Sequence, residues 1–172
     1  MIQVGQQAPD FALEGIKDSQ FIEIKLSDCR GKWVVLFFWP LDFTFICPTE
    51  ILEFSRRVKE FEELDAVILG ASTDSKYAHM AWTKDIGNIN FPMLSDLTKE
   101  VSRSYGILLE GQGIALRGTF IIDPQGKIEY QLVHNLNVGR SVDETLRVLK
   151  ALQTGQLCPV EWEPGKETLG AP

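Results

Sequence analysis

The residues best suited to redox, nucleophilic or metal chemistry in this chain are three cysteines, Cys29, Cys47 and Cys158, and two histidines, His79 and His134. No two of the thiols form a Cys-x-x-Cys pair. Zinc needs clustered ligands, and these residues do not cluster, so no metal is expected. An odd cysteine count at 172 residues is a poor disulfide framework for a secreted protein. A catalytic thiol is the better reading.

Cys47 has the setting for one. Trp33-Val34-Val35-Leu36-Phe37-Phe38-Trp39 is a continuous apolar run, the pattern of a strand buried on both faces. After a turn-like segment, Ile51, Phe54, Val58 and Phe61 recur at steps of three and four, one face of a helix. Cys47 falls where that strand hands over to the helix N-terminus. Pro48 suits the position, because backbone N–H groups of a first turn have no intrahelical partner to lose. Partial positive charge and free N–H donors at a helix start favour a thiolate over a thiol. The alternative is a small buried hydrophobe, which many free cysteines are. Cys29, in the turn Ser27-Asp28-Cys29-Arg30-Gly31-Lys32, has no helix start or base beside it and reads as a bystander.

The remaining pattern supplies a frame for that thiol. Phe21 to Leu26 alternates apolar and polar, as an edge strand does. Asp65 to Ala71 is a second buried strand. Ser72 to Ser75 offers caps for a helix near Lys76 to Asp85, whose apolar side is Tyr77, Met80, Ala81 and Trp82, with His79 at its surface. Phe91 to Asp96 reads as a short strand and a cap, and Lys99 to Tyr105 as a short helix ended by Gly106. Ile107 to Leu116 is a loop or hairpin. Arg117 to Ile122 is a strand that runs through an Asp123-Pro124-x-Gly126 turn into a partner, Lys127 to Asn135. Arg117 opens an apolar strand, so its guanidinium must meet an anion or carbonyls near the core. Ser141-x-x-Glu144 is a capping box for a helix with Val142, Leu146 and Leu149 facing inward. Residues 155–172 have no helical or strand period and read as a mobile tail. This order suggests an α/β sheet with flanking helices in a single domain.

Composition narrows the function. Hydrophobic residues make up 44% and charged residues 24%, ordinary values for a globular chain. A net charge of −7 argues against nucleic acid as a partner. No apolar run reaches the ~20 residues of a membrane span, and Met1-Ile2-Gln3-Val4-Gly5 is no signal peptide. The default is a reducing, cytoplasmic compartment.

The pattern Pro40-x-x-x-Thr44-x-x-Cys47, extended through Asp42-Phe43-Thr44-Phe45-Ile46-Cys47-Pro48-Thr49-Glu50, resembles the active-site segment of the typical two-cysteine peroxiredoxins. This is the alkyl hydroperoxide reductase and thioredoxin peroxidase group. Arg117-Gly118-x-Phe120-Ile121-Ile122-Asp123 is similar to the segment whose Arg faces the peroxidatic cysteine. Val138 to Arg147 also resembles the group, with Arg140 a lesser candidate. Cys158-Pro159-x-x-Trp162-x-Pro164-Gly165 is similar to the segment that carries the resolving cysteine. The likeness covers nearly the whole chain, from Ala8 to Gly165.

The resemblance implies a thioredoxin-like α/β fold, a central mixed sheet flanked by helices, with residues 155–172 as the tail bearing Cys158. It implies a peroxidase in which Cys47 attacks hydrogen peroxide or a small organic hydroperoxide and becomes a sulfenic acid. Arg117 favours the thiolate and the leaving oxygen by charge. Thr44 holds the peroxide, Pro40 shields the pocket, and Glu50 orients the Arg or the loop. Cys158 of the other subunit then forms a disulfide, reduced by thioredoxin or a flavin-dependent disulfide reductase. The assembly is a homodimer that can close into a decamer. No cofactor is called for. One departure is informative: members easily inactivated by overoxidation carry a Gly-Gly-Leu-Gly loop and a C-terminal Tyr-Phe helix, and here Asp85 to Asn90 and Thr168 to Pro172 offer neither. A robust enzyme is expected. A holdase chaperone and a peroxide sensor are the competing readings; no residue specifies either.

Overall fold

The computed structural model describes residues 2–172. The chain divides into two compact units, one running to Arg140 and the other Ser141–Pro172. In chain order the first unit contains β1 (Ala12–Lys17), β2 (Gln20–Lys25), β3 (Trp33–Phe38), α1 (Cys47–Arg56), α2 (Val58–Glu62), β4 (Ala66–Ser72), α3 (Lys76–Ile86), β5 (Met93–Ser95), α4 (Glu100–Ser104), β6 (Leu108–Leu109), β7 (Ile114–Ala115), β8 (Arg117–Ile122) and β9 (Ile128–His134). Seven strands form one mixed sheet in the order β2-β1-β5-β4-β3-β8-β9, and β6 and β7 pair as a small hairpin. Among the described residues no helix is long and apolar enough to cross a membrane.

The apolar run read from the sequence is the middle of this sheet. Val34 to Phe38 are all buried. β3 pairs parallel with β4, Leu36 opposite Leu69, and antiparallel with β8, Leu36 opposite Phe120. A parallel partner requires a crossover, and α1 with α2 provides it. That connection puts the start of α1 beyond the carboxyl end of β3, where α/β folds keep their reactive groups.

Two elements depart from expectation. β1 lies where no strand is legible, because Ala12-Leu13-Glu14-Gly15-Ile16-Lys17 carries a glycine in its interior. The reason is close approach: a Cβ on Gly15 would run into the carbonyl oxygen of Met93 on β5. In α3, Tyr77 and Ala81 are exposed, and the buried side is His79 and Trp82. His79 is therefore not a surface residue. Its ring is wholly buried because it meets polar partners on other segments, a condition that helix periodicity cannot reveal.

In the second unit, α5 (Val142–Gln153) starts at Ser141, whose side chain accepts from the backbone N–H of Glu144. The Glu144 carboxylate pairs with Arg147, which holds it below the usual carboxylate range. The segment after α5 is not the loose tail its composition suggests. The Leu157 N–H donates to Gly170 O at 2.9 Å, and the Leu169 N–H donates back to Leu157 O at 2.8 Å. Trp162 is buried, and its Nε1 donates to Lys166 O at 3.1 Å. The chain fastens on itself around Cys158.

Candidate active site

The site begins where β3 ends. Trp39 and Pro40 are still buried; the chain then runs through Leu41–Ile46 to Cys47, the first residue of α1. Pro48 follows directly, and no side chain caps the helix. Cys47 is buried, 1% exposed.

Glu50 lies one helical turn beyond Cys47, so both project from the same face of α1. β8 brings Arg117 to that face. Arg117 Nη1 donates to Cys47 Sγ at 3.4 Å and to Glu50 Oε2 at 2.7 Å, and Nε donates to Leu136 O at 2.9 Å. Arg140 completes the cluster. Its backbone N–H and its Nε both donate to Glu50 Oε1 at 2.9 Å. Nη1 donates to Gly118 O at 3.0 Å and Nη2 to Phe38 O at 2.6 Å. The guanidinium carbon lies 5.0 Å from the centre of the Phe37 ring. Burial pulls the Arg140 guanidinium below its ordinary value, and Glu50 opposes that by charge and hydrogen bonding.

Charge summation gives this arrangement its chemistry. Two buried guanidiniums and one buried carboxylate sum to one positive charge, beside a sulfur. A buried charge without a counter-ion is expensive. An anion beside Arg117 would supply the counter-ion, and the guanidinium that contacts the sulfur can stabilise negative charge on an atom bonded to it.

The structure thus brings three of the residues singled out in the sequence into contact: Cys47, Glu50 and Arg117. Arg140, the lesser candidate, joins them through Glu50, in a position set by carbonyls at Phe38 and Gly118 that no local motif announces. Thr44 is half-buried on the segment entering α1. Its hydroxyl donates to Leu41 O at 2.9 Å, so it does not cap the helix and keeps lone pairs free to accept. Pro40 is buried at the end of β3. Cys158, in the second unit, is half-buried, with Sγ 3.5 Å from Thr154 Oγ1. A groove of about 460 Å³ opens beside it, lined by Arg147, Leu152, Gln156 and Pro159 among others. Cys29 is half-buried at the end of a short 3-10 turn, and burial pushes its thiol up, away from reactivity.

A second polar cluster, which no motif announces as a unit, joins Trp39, Asp42, Asp74 and His79. Asp42 and His79 stand 37 residues apart, and sequence spacing carries no sign of their pairing.

The chain as a whole is similar to known proteins. The AhpC/TSA family matches residues 4–131. A chloroplastic 2-Cys peroxiredoxin of Spinacia oleracea is 51% identical over 177 residues, spanning 96% of this chain and 67% of that protein. The reduced 2-Cys peroxiredoxin of Plasmodium vivax superposes with a TM-score of 0.95 at 41% identity, covering 98% of this chain and 93% of that one. AhpC of Mycobacterium bovis gives 0.83 at 44% identity, covering 95% and 99%.

Proposed function

This chain belongs to the AhpC/TSA family as a two-cysteine peroxiredoxin with the thioredoxin-like fold, a peroxidase oxidoreductase that draws on a thiol reductant, and from that premise we propose how its own residues divide the work. The observation that carries the reading is the Arg117 guanidinium 3.4 Å from a buried sulfur at a helix start.

Cys47 attacks as the thiolate, balanced by the net positive charge of Arg117, Arg140 and Glu50. Its sulfur bonds to the nearer peroxide oxygen as the O–O bond breaks. Cys47 leaves as a sulfenic acid, and the departing oxygen takes up a proton to become water or an alcohol. Arg117 stabilises the charge on that oxygen. Thr44 accepts a hydrogen bond from the peroxide, Pro40 shields the sulfur from bulk water, and Glu50 fixes both guanidiniums. The Cys158 thiol of the partner subunit then attacks the sulfenic sulfur, giving a disulfide and releasing water. A dithiol, thioredoxin or a flavin-dependent disulfide reductase, returns two electrons. Residues 155–172 serve as the tail that carries Cys158. Hydrogen peroxide and small organic hydroperoxides are the substrates, since a sulfur this buried leaves little room. A reducing, cytoplasmic setting suits this cycle, because it returns Cys47 and Cys158 to thiols between turnovers.

A homodimer is favoured by β9, an edge strand with Leu132 and Val133 exposed. Such an edge offers unpaired N–H and C=O groups to a second copy. Closure of dimers into a decamer is compatible with this.

The test is turnover of hydrogen peroxide with a thioredoxin system. Cys47→Ser should abolish it. Cys158→Ser should still consume one equivalent of peroxide per chain but lose sustained turnover. Undiminished turnover by Cys47→Ser would refute the reading.

A further inference from the structure

Asp42 stands between two residues assigned above, Pro40 and Thr44, and side chains from elsewhere engage both its oxygens. Trp39 Nε1 donates to Oδ1 at 2.8 Å. His79 Nδ1, from α3, lies 2.6 Å from Oδ2. The other ring nitrogen, Nε2, lies 3.0 Å from Leu94 O on β5. A carbonyl only accepts, so Nε2 carries a hydrogen. A second hydrogen must lie between Nδ1 and Oδ2, since two lone pairs at 2.6 Å would repel. The pair therefore shares one proton and is neutral as a unit, which suits its burial. The main chain is tied at the same place: the Asp42 N–H donates to Asp74 Oδ2 at 2.7 Å. Asp74 is itself held, its N–H donating to Ser72 Oγ at 3.1 Å and its carbonyl accepting from Ser95 Oγ at 2.6 Å.

The next residue is strained. Phe43 has φ of 55°, the left-handed region that an aromatic residue enters at a cost. Its ring lies 6.0 Å from that of Trp82, one turn beyond His79 on the buried side of α3. Strained backbone persists where its surroundings over-determine it. Here two consecutive loop residues, Asp42 and Phe43, are fixed by two residues of one helix, His79 and Trp82.

We infer that Asp42 and His79 form a latch that positions the Phe43–Cys47 segment, holding the sulfur at Arg117 and out of solvent. They are positioning residues and touch no reacting atom. Without the latch, strain at Phe43 is released, Thr44 and Cys47 lose register, and the sulfur becomes accessible. The kinetic consequence rests on Cys47 being the peroxide-reactive thiol; the accessibility consequence does not.

The reduced protein is compared with His79→Leu and Asp42→Asn in two measurements. One is the single-turnover rate with hydrogen peroxide. The other is the rate of Cys47 labelling by N-ethylmaleimide, mapped by mass so that Cys29 and Cys158 are scored apart. Leucine at 79 removes both ring hydrogen bonds. Asparagine at 42 still accepts from Trp39 and can donate to a neutral His79 ring, so it rescues the latch. His79→Leu should label at least about tenfold faster and react with peroxide at least about tenfold slower, while Asp42→Asn stays within about threefold on both. Wild-type rates in a cooperatively melting His79→Leu overturn the latch. Equal impairment in Asp42→Asn overturns it too. If His79→Leu does not melt cooperatively, His79→Asn, too short to reach both Asp42 and Leu94, takes its place with the same expectations. A wild type inert to peroxide, with the labelling difference intact, refutes the peroxidase roles and leaves the latch standing.

Discussion

Arg117 donates a hydrogen bond to the sulfur of Cys47 across 3.4 Å, from a residue 70 positions further along the chain. One end of the contact lies on β8, inside the sheet, and the other is the first residue of a helix. Replacing Arg117 with lysine keeps the charge but loses the fork that serves sulfur, carboxylate and the Leu136 carbonyl together. The expected loss is about 2 kcal/mol of transition-state stabilisation, roughly thirtyfold in the rate of Cys47 oxidation. Stopped-flow fluorescence of the reduced protein reads it, and a rate within twofold of wild type would remove Arg117 from the reaction.

Glu50 is the carboxylate that pairs with both guanidiniums, and both depend on it. Glu50→Gln preserves shape and removes the charge. Two buried cations then face each other. Breaking a buried pair in this way costs about 3 kcal/mol or more, which corresponds to a melting temperature lower by about 6–12 °C for a chain of this size. Differential scanning calorimetry checks this. An unchanged melting temperature would mean that the cluster is better screened than its burial implies.

Asp74 supplies a pH signature. Burial pushes its carboxyl above the ordinary 3.8; the Asp42 N–H opposes this, and the charges of Asp42 and His79 act on it in opposite senses. The folded state therefore binds this proton more tightly than the unfolded chain. The group's stabilising contribution is full below 3.8 and is lost as pH rises through the raised folded value. At neutral pH the ionised carboxylate is a liability. Asp74→Asn keeps an acceptor for the Asp42 N–H, so it should melt above wild type at neutral pH, with the gain shrinking as pH falls toward 3.8. A variant that melts below wild type by the same amount at every pH would contradict this.

Residues 85–90, Asp85-Ile86-Gly87-Asn88-Ile89-Asn90, lack the Gly-Gly-Leu-Gly loop of the two-cysteine peroxiredoxins that are easily inactivated. Resolution by Cys158 should therefore outrun a second peroxide. After several equivalents of hydrogen peroxide, intact-mass analysis should find disulfide and no Cys47 sulfinic acid. Accumulated sulfinic acid at that dose would show that the Cys47 segment leaves its site too slowly.

Legibility in the sequence followed the range of the interactions. β3, β4, β8 and α1 were readable because apolar runs and helical spacing are local, and Cys47 was readable as their junction. Glu50 shares a helical turn with Cys47, so spacing alone places it near the sulfur. β1 was hidden because its glycine answers to a backbone on β5. His79 was misplaced at the surface because its partners are Asp42 and the Leu94 carbonyl, neither in its own helix. The contacts of Arg140 are hidden for the same reason, and the self-fastened tail around Cys158 is not legible because backbone pairing between Leu157 and Leu169 leaves no composition signal.

The most direct test of the central claim is a non-reducing gel of the pre-reduced protein after one equivalent of hydrogen peroxide, with peptide mass mapping. A dimer band linked Cys47 to Cys158 is the predicted result, since it assigns both thiols and puts them on different subunits. A Cys47–Cys158 link in a monomer band would keep the chemistry and contradict the intersubunit arrangement. An unmodified Cys47 with no disulfide would contradict the account at its root.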